Sequence, residues 1–431
     1  MDTQTKTLCQ LMERPRKEVL ANEFKGKSLQ NLRTPAIIID RNIFAQNCAK
    51  MHEKATGWGA RFRAHLKTHK TVEGTKLQLI TSANRTHAVV VSTMMEAWEV
   101  VRAGLVSDGT VKDILYGLPV APNKVADLCE LRDQVAVDGG IVRLLVDHPE
   151  QVKFLERFES NHGQSRRWSV FVKIDGGQRR AGVSITSPSF RELLSVLFAS
   201  PAVCVYGFYG HAGNSYASTS LSEASSFLSS EVEAVNSAAK IALAMRSSLQ
   251  NIETYQEPFV LSVGSTPTAH AASADTRALL SRELHGVLEL HAGNYPMLDL
   301  QQQSTGMVDK SCIAQRVRAT IVSYYPGRGK GGEDEALIDA GAIAFSKDTG
   351  PSGGYGEVIG RKWRLERISQ EHGILARIAD EAEDLQVGTV VEIIGQHACL
   401  IAAAYPWYYI VDKDVGGGQK VVDVWVPWKG W

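Results

Sequence analysis

HAVVVSTMMEAWEVVRAGLVSDGTVKDILYG (87–117) sets the architecture. It reads as a β-branched run (87–92), an amphipathic helical stretch (94–104) and a second apolar run (111–117). Two strands joined through a helix lie parallel in one sheet. The same alternation extends in both directions. Upstream stands ARFRAHL (60–66), and downstream GIVRLLVD (140–147), WSVFVKID (168–175), AVCVYGFY (202–209), PFVLSVG (258–264) and GVLELHAG (286–293). Helical candidates such as 123–135 and 222–248 fill the intervals. Eight such strands predict a parallel (β/α)8 barrel, with a doubly wound open sheet as the alternative.

Beyond about residue 297 the texture changes. CIAQRVRATIVSYYP (312–326), EALIDAGAIAFS (335–346), TVVEIIGQHACLIAAA (389–404), WYYIVD (407–412) and KVVDVWVPW (420–428) read as strands of a mainly antiparallel β domain. GRGKGGEDE (327–335) and VGGGQ (415–419) read as polar loop tips. The expected division is an N-terminal segment (1–40), a barrel (41–296) and a β domain (297–431). PAIIID (35–40) either pairs with that last unit or precedes the barrel; both stay open.

At 431 residues, 44% hydrophobic and 22% charged, the chain is a globular protein of two or three domains. Lys+Arg 47 balances Asp+Glu 47, so no global basic field exists for nucleic acid or an anionic membrane. No apolar run nears the ~20 residues of a membrane span. The N-terminus lacks the apolar core of a secretory leader. Six scattered cysteines (Cys9, Cys48, Cys129, Cys204, Cys312, Cys399) suit a reducing cytosol.

Four places offer chemistry. Lys67, in ARFRAHLKTHKT, sits where the first barrel strand should end, the face on which such barrels act. A lysine there can form a Schiff base if its amine is partly deprotonated, and His65, His69 and Lys70 are expected to push it down. A solvated basic turn is the other reading. LSVGSTPT (261–268) and ELHAGNY (289–295) close the last two strands, where Gly264, Ser265, Thr266, Gly293 and Asn294 could cradle a phosphate or form ordinary turns. Together with Lys67 this describes pyridoxal phosphate across a barrel mouth.

YGFYGHAGNSY (206–216) should bring Tyr209, His211 and Tyr216 to the mouth. KIDGGQRRAGV (173–183) adds Arg180. In GQHACL (395–400), His397 and Cys399 stand two apart in a strand-like run and so share a face. Imidazole and thiolate suit Zn2+, although HxC alone more often marks a buried His with an inert core Cys.

Taken together, AHLKTHKT, DGGQRRAG, YGFYGHAGNSY, SVGSTPT, ELHAGNY and IGQHACL resemble the alanine-racemase-like (fold-type III) pyridoxal phosphate enzymes. Among these they are most similar to the zinc-dependent D-serine dehydratases. The similarity runs from about residue 33 to the C-terminus. It implies Lys67 as the Schiff-base lysine, His397 and Cys399 as zinc ligands, and Tyr209 and Tyr216 at the cofactor. It further implies phosphate loops at 264–266 and 293–294, and Arg180 near the phenolic oxygen, with Arg179 beside it.

The implied reaction is β-elimination of D-serine to pyruvate and ammonia, with D-threonine as a further substrate and a cytoplasmic homodimer as the assembly. The related D-threonine aldolase branch pairs His with Asp at the metal, so Cys399 favours the dehydratase. A racemase would need a second base, and none stands out. A non-catalytic pyridoxal phosphate carrier resembles the barrel alone, so residues 297–431 with HxC argue against it.

Overall fold

A computed structural model describes residues 12–162, 166–248, 258–280, 283–379 and 381–431. Residues 1–11, with Cys9 and most of the stretch read for a leader, lie outside the described residues. The chain enters through β1 (Ala36–Asp40), whose last residue caps the helix Arg41–Gly57 by accepting the Asn42 and Ile43 N–H groups.

Eight strands follow: β2 (Arg61–His65), β3 (Ala88–Val91), β4 (Asp113–Pro119), β5 (Ile141–Val146), β6 (Trp168–Lys173), β7 (Val203–Tyr209), β8 (Val260–Val263) and β9 (Val287–Ala292). All pair in parallel with their neighbours, and β9 returns to β2 (Arg61↔Glu289 through Ala64↔Ala292) to close the barrel. Every strand-like run between residues 60 and 293 is one of these strands, so the open sheet is ruled out.

The interior is layered by polarity. Toward the strand starts, buried Arg63 donates to Glu289 (2.8 Å) and Asp113 (2.7 Å), and Arg143 donates to the second Asp113 oxygen (2.8 Å). Burial alone would raise the Asp113 carboxyl, but the two guanidiniums outweigh it and hold it below the usual range. Above this network Val90, Leu115, Leu145, Phe171, Tyr209 and Val260 pack together.

The remaining strands are β10 (Gln315–Tyr325), β11 (Glu335–Ile338), β12 (Gly356–Val358), β13 (Trp363–Ile368), β14 (Gly373–Arg377), β15 (Val390–Gly395), β16 (Tyr408–Val411) and β17 (Asp423–Trp425). With β1 they form one sheet in the order β11-β14-β13-β12-β15-β10-β1-β16-β17, and a second β10–β11 pairing closes six of them into a ring. Strand β1 lies between β10, antiparallel, and β16, parallel. The tip 327–335 is the β10–β11 hairpin loop.

Two sequence expectations are corrected here. LIAAA and AIAF are not strand: Ala398–Ala404 and Ala342–Phe345 are helical, because alanine-rich runs lack the branched side chains that favour a pleated surface. Strands β12–β14 escaped notice because only alternate residues face inward. Trp363 and Leu365 are buried, whereas Arg364, Glu366 and Arg367 point outward and give the stretch a polar texture.

No helix among the described residues is long and apolar enough to cross a membrane. The long helix Leu221–Ser247 packs against β7 and β8. Its buried Glu231 accepts the Ala212 N–H, fastening the loop after β7. Burial raises this carboxyl to about 7 against the hydrogen bonds of Ala212 and Thr268 and the charge of Lys173, while burial draws Lys173 itself down to about 8.

A carboxyl whose pKa is higher folded than unfolded leaves stability intact below about 4.5 and removes it as pH climbs through about 7. Glu231→Gln should therefore lose less stability than the parent between pH 5 and pH 7.5, read as the shift in urea midpoint. Parallel declines in the two proteins would refute the assignment. At Gly207 an added Cβ would stand 2.0 Å from the Val260 carbonyl oxygen of the next strand. Gly207→Ala should destabilise the barrel by about 1–3 kcal/mol in denaturant unfolding.

Candidate active site

Lys67 follows β2 in a turn that ends at Thr71, the cap of the helix Val72–Leu79. The expected cationic surroundings are absent. His69 donates from Nε2 to Gln78 Oε1 (2.7 Å) and accepts the Thr71 N–H at Nδ1 (3.0 Å), a neutral tautomer; burial holds its pKa to about 4. Burial and Lys67 keep His65 well below its ordinary value, and Lys70 pairs with Glu96 at 3.0 Å.

The anticipated depression of Lys67 is likewise overturned. Burial and Arg180 lower it, but Tyr216, Cys399 and Glu96 raise it, and the amine lies above its ordinary value. This pKa describes the chain without any bound group.

The ends of β8 and β9 meet beside Lys67. Gly264 adopts φ +137°, and a Cβ there would stand 2.2 Å from the His291 carbonyl oxygen, so only glycine lets the two strand ends close. Ser265 caps the helix Thr266–Ala271 in a reciprocal box with Thr268 and also meets the Ser215 hydroxyl at 2.7 Å. Pro267 starts that helix rather than stopping it. The Thr266 hydroxyl oxygen accepts the Asn294 N–H at 3.1 Å. A Cβ on Gly293 would come within 3.2 Å of Lys67 Cε and the His65 Cβ, so the missing side chain leaves room beside the amine.

Tyr209 is buried, with its ring stacked on His291 (4.1 Å, 11°) and Lys173 Nζ 4.8 Å above it. Ser262 donates to Glu289, so its oxygen accepts from His291 Nδ1–H (3.0 Å). That leaves His291 Nε2 a buried acceptor without a partner, and Asn294 Oδ1 is another. His211 Nδ1 donates to the Gly264 carbonyl at 2.7 Å. Tyr216 lies within electrostatic reach of Lys67 and Cys399. Arg180 is an exposed side chain in the loop after β6 and also reaches Lys67 electrostatically.

HxC is not on a strand, a further correction. Strand β15 ends at Gly395, where any Cβ would strike Ile401 Cδ1 at 2.3 Å. His397 then caps the helix Ala398–Ala404, and Cys399 lies in its first turn. The two side chains still meet. Burial lowers His397, but the Cys399 hydrogen bond and charge, with Asp299 and Asp348, raise it to about 9. Burial raises the Cys399 thiol, yet His397 and Lys67 bring it below its usual value.

This helix start faces the lysine turn. Thr68 Oγ1 lies 3.1 Å from Cys399 Sγ and donates to the Gly293 carbonyl at 3.1 Å. The C-terminal tail reinforces the contact through Trp428 N–H to the Lys70 carbonyl (2.7 Å). Three contributors had no sequence signal: Thr68, Asp299 and Asp348, single polar residues in turns. Asp348 Oδ2 sits 2.5 Å from His397 Nδ1, which leaves Nε2 to act as a ligand.

The residues present suit a pyridoxal phosphate and a borderline-soft metal. Room is kept beside Lys67 by Gly293, and an imidazole and an acidified thiol form one N,S donor pair.

Residues 39–279 match the family described as alanine racemase, N-terminal domain, and residues 314–411 match the putative serine dehydratase domain. The chain is 44% identical to a D-serine dehydratase of Schizosaccharomyces pombe, over 96% of each chain. It is 35% identical to a D-serine dehydratase of Saccharomyces cerevisiae, over 95% of this chain and 99% of the other. Among solved structures, D-threo-3-hydroxyaspartate dehydratase from Delftia sp. HT23 superposes with a TM-score of 0.77 at 30% identity, covering 94% of this chain and 100% of that one. A cysteine-to-alanine variant of that enzyme is described as metal-free. The chain belongs to the D-serine dehydratase family, on a barrel of the alanine racemase N-terminal type.

Proposed function

We propose that this protein is a lyase that removes water from D-serine and releases pyruvate and ammonia, using pyridoxal phosphate at Lys67 and zinc at His397 and Cys399. One observation carries the reading: through Thr68, the turn of a buried lysine, the Gly293 loop and a thiol paired with an imidazole meet within hydrogen-bonding distance. Relatives that span nearly the whole chain and bear that activity support it.

When bound, pyridoxal phosphate supplies an electron sink for the Cα–H bond and zinc a Lewis acid for the departing hydroxyl. The chain supplies the rest. Lys67 Nζ, with the Gly293 side open to it, accepts the α-proton once it is free of the cofactor. Gly264 to Thr266 and Asn294 would form the phosphate end of the site; with the Ser265 hydroxyl, the Ser265 N–H and the Asn294 N–H already engaged, the Gly264 and Thr266 N–H groups would meet the phosphate. Asp348 engages His397 Nδ1 and fixes the ring, so Nε2 would be the nitrogen available to a metal. Among the described residues no third His, Cys, Asp or Glu joins the pair as a metal cluster, and the remaining positions are left for substrate and water.

The five described cysteines are all unpaired, in keeping with a cytosolic setting, and we take the assembly to be a homodimer.

Lys67→Ala should abolish the visible absorbance of enzyme-linked pyridoxal and reduce pyruvate release by at least roughly 10³-fold. Cys399→Ala, or a chelator, should keep that absorbance yet stop pyruvate formation from D-serine. Full turnover by chelated enzyme would remove the metal from the reaction. L-serine should give no pyruvate, and D-threonine should give 2-oxobutanoate. Glycine and an aldehyde from D-threonine would instead establish an aldolase.

A further inference from the structure

Asp299 is fully buried, and no lysine or arginine lies within ion-pair distance of it among the described residues. Its Oδ1 accepts the Gln302 N–H (2.9 Å), an ordinary cap for the short helix Leu300–Gln303. That task needs one acceptor, and Asn or Ser would serve. Its Oδ2 does something else, accepting both the Asn294 side-chain amide (2.6 Å) and the Ala398 backbone N–H (2.8 Å).

Both oxygens must therefore be acceptors. In Asp299→Asn the new NH2 would face at least one N–H donor in either orientation, so a carboxylate is the side chain that fits. A buried carboxylate is costly, and it is tolerated here through three hydrogen bonds and the charge of the nearby His397.

The two donors on Oδ2 belong to different parts of the site. The Asn294 main-chain N–H is held by Thr266 at the cradle, and Ala398 is the residue between His397 and Cys399. One oxygen atom thus touches the phosphate loop of the barrel and the metal loop of the sheet domain. Any displacement of Ala398 lengthens a bond on the atom that positions Asn294, and the reverse holds equally.

We infer that Asp299 is a positioning residue that couples the two sites, so that metal at His397 and Cys399 tightens the hold on pyridoxal phosphate, and pyridoxal phosphate tightens the hold on the metal. This rests on the proposed assignment of those two sites. Reciprocity follows from linkage: each ligand must change the affinity of the other by the same factor. The hydroxyl of Thr68 offers a second contact between the same loops, but a hydroxyl–thiol bond is the weaker of the two.

The test is a binding cycle without turnover. Enzyme stripped of both groups is titrated with pyridoxal phosphate, followed by absorbance and quenching of tryptophan fluorescence, with and without Zn2+. Zinc affinity is measured by equilibrium dialysis, with and without pyridoxal phosphate. The parent protein should show matching affinity ratios of about fivefold or more, the lower range for coupled sites. In Asp299→Asn and Asp299→Ser those ratios should fall to within about twofold of unity.

A merely structural role would weaken both affinities and keep the ratios. Variants that retain the parental ratios would therefore overturn the inference. So would parental ratios of unity, which need no folded variant. Failure of the parent to bind zinc or pyridoxal phosphate at all would overturn the site assignment together with the coupling, whereas independent tight binding of both would overturn the coupling alone.

Discussion

The hydroxyl of Thr68 touches two groups that lie far apart along the chain, the Gly293 carbonyl and the Cys399 sulfur. Everything else in the site depends on this closure. Lys67 stands one residue earlier on the same turn, so fixing Thr68 fixes where the amine enters the cavity. The sheet domain contributes no barrel strand, yet through the start of one helix it provides a wall of the barrel mouth. The chain enters the sheet as β1 and returns to it only at β10, so the sheet brackets the barrel in sequence.

Charge is graded along the barrel axis. The lower interior holds full charges, Arg63 and Arg143 against Glu289 and Asp113, each satisfied by hydrogen bonds in fixed geometry. Toward the mouth the polar groups are mostly neutral. His65, His69, His211 and His291 are all held below their ordinary pKa, first by burial. Neutral imidazoles beside a lysine do not repel it, and they can accept as well as donate hydrogen bonds.

Most barrel strands were legible because they are largely buried on both faces and read as apolar runs, as in AVVV (88–91), although Arg63, Asp113, Arg143 and Glu289 interrupt four of them. Strands β12 to β14 were not, because one of their faces is wet and Arg364, Glu366 and Arg367 break the run. HxC was found as a pair of residue types, but its backbone was misread. Alternation along a strand and the first turn of a helix can bring the same two side chains together, so the residue pair alone does not tell the two backbones apart.

Sequence by itself determined the barrel, the order of its strands, the existence of a second β-rich unit and the chemical inventory at Lys67, Gly264, His397 and Cys399. These follow from local patterns of burial and backbone freedom, which each segment carries within itself. Tertiary structure alone decided that His69 is neutral, that the Lys67 amine is raised, and that Asp348 and Asp299 serve the site. Electrostatic character and hydrogen-bond partnership depend on which groups are brought within a few ångströms, and those neighbours come from segments remote in the chain.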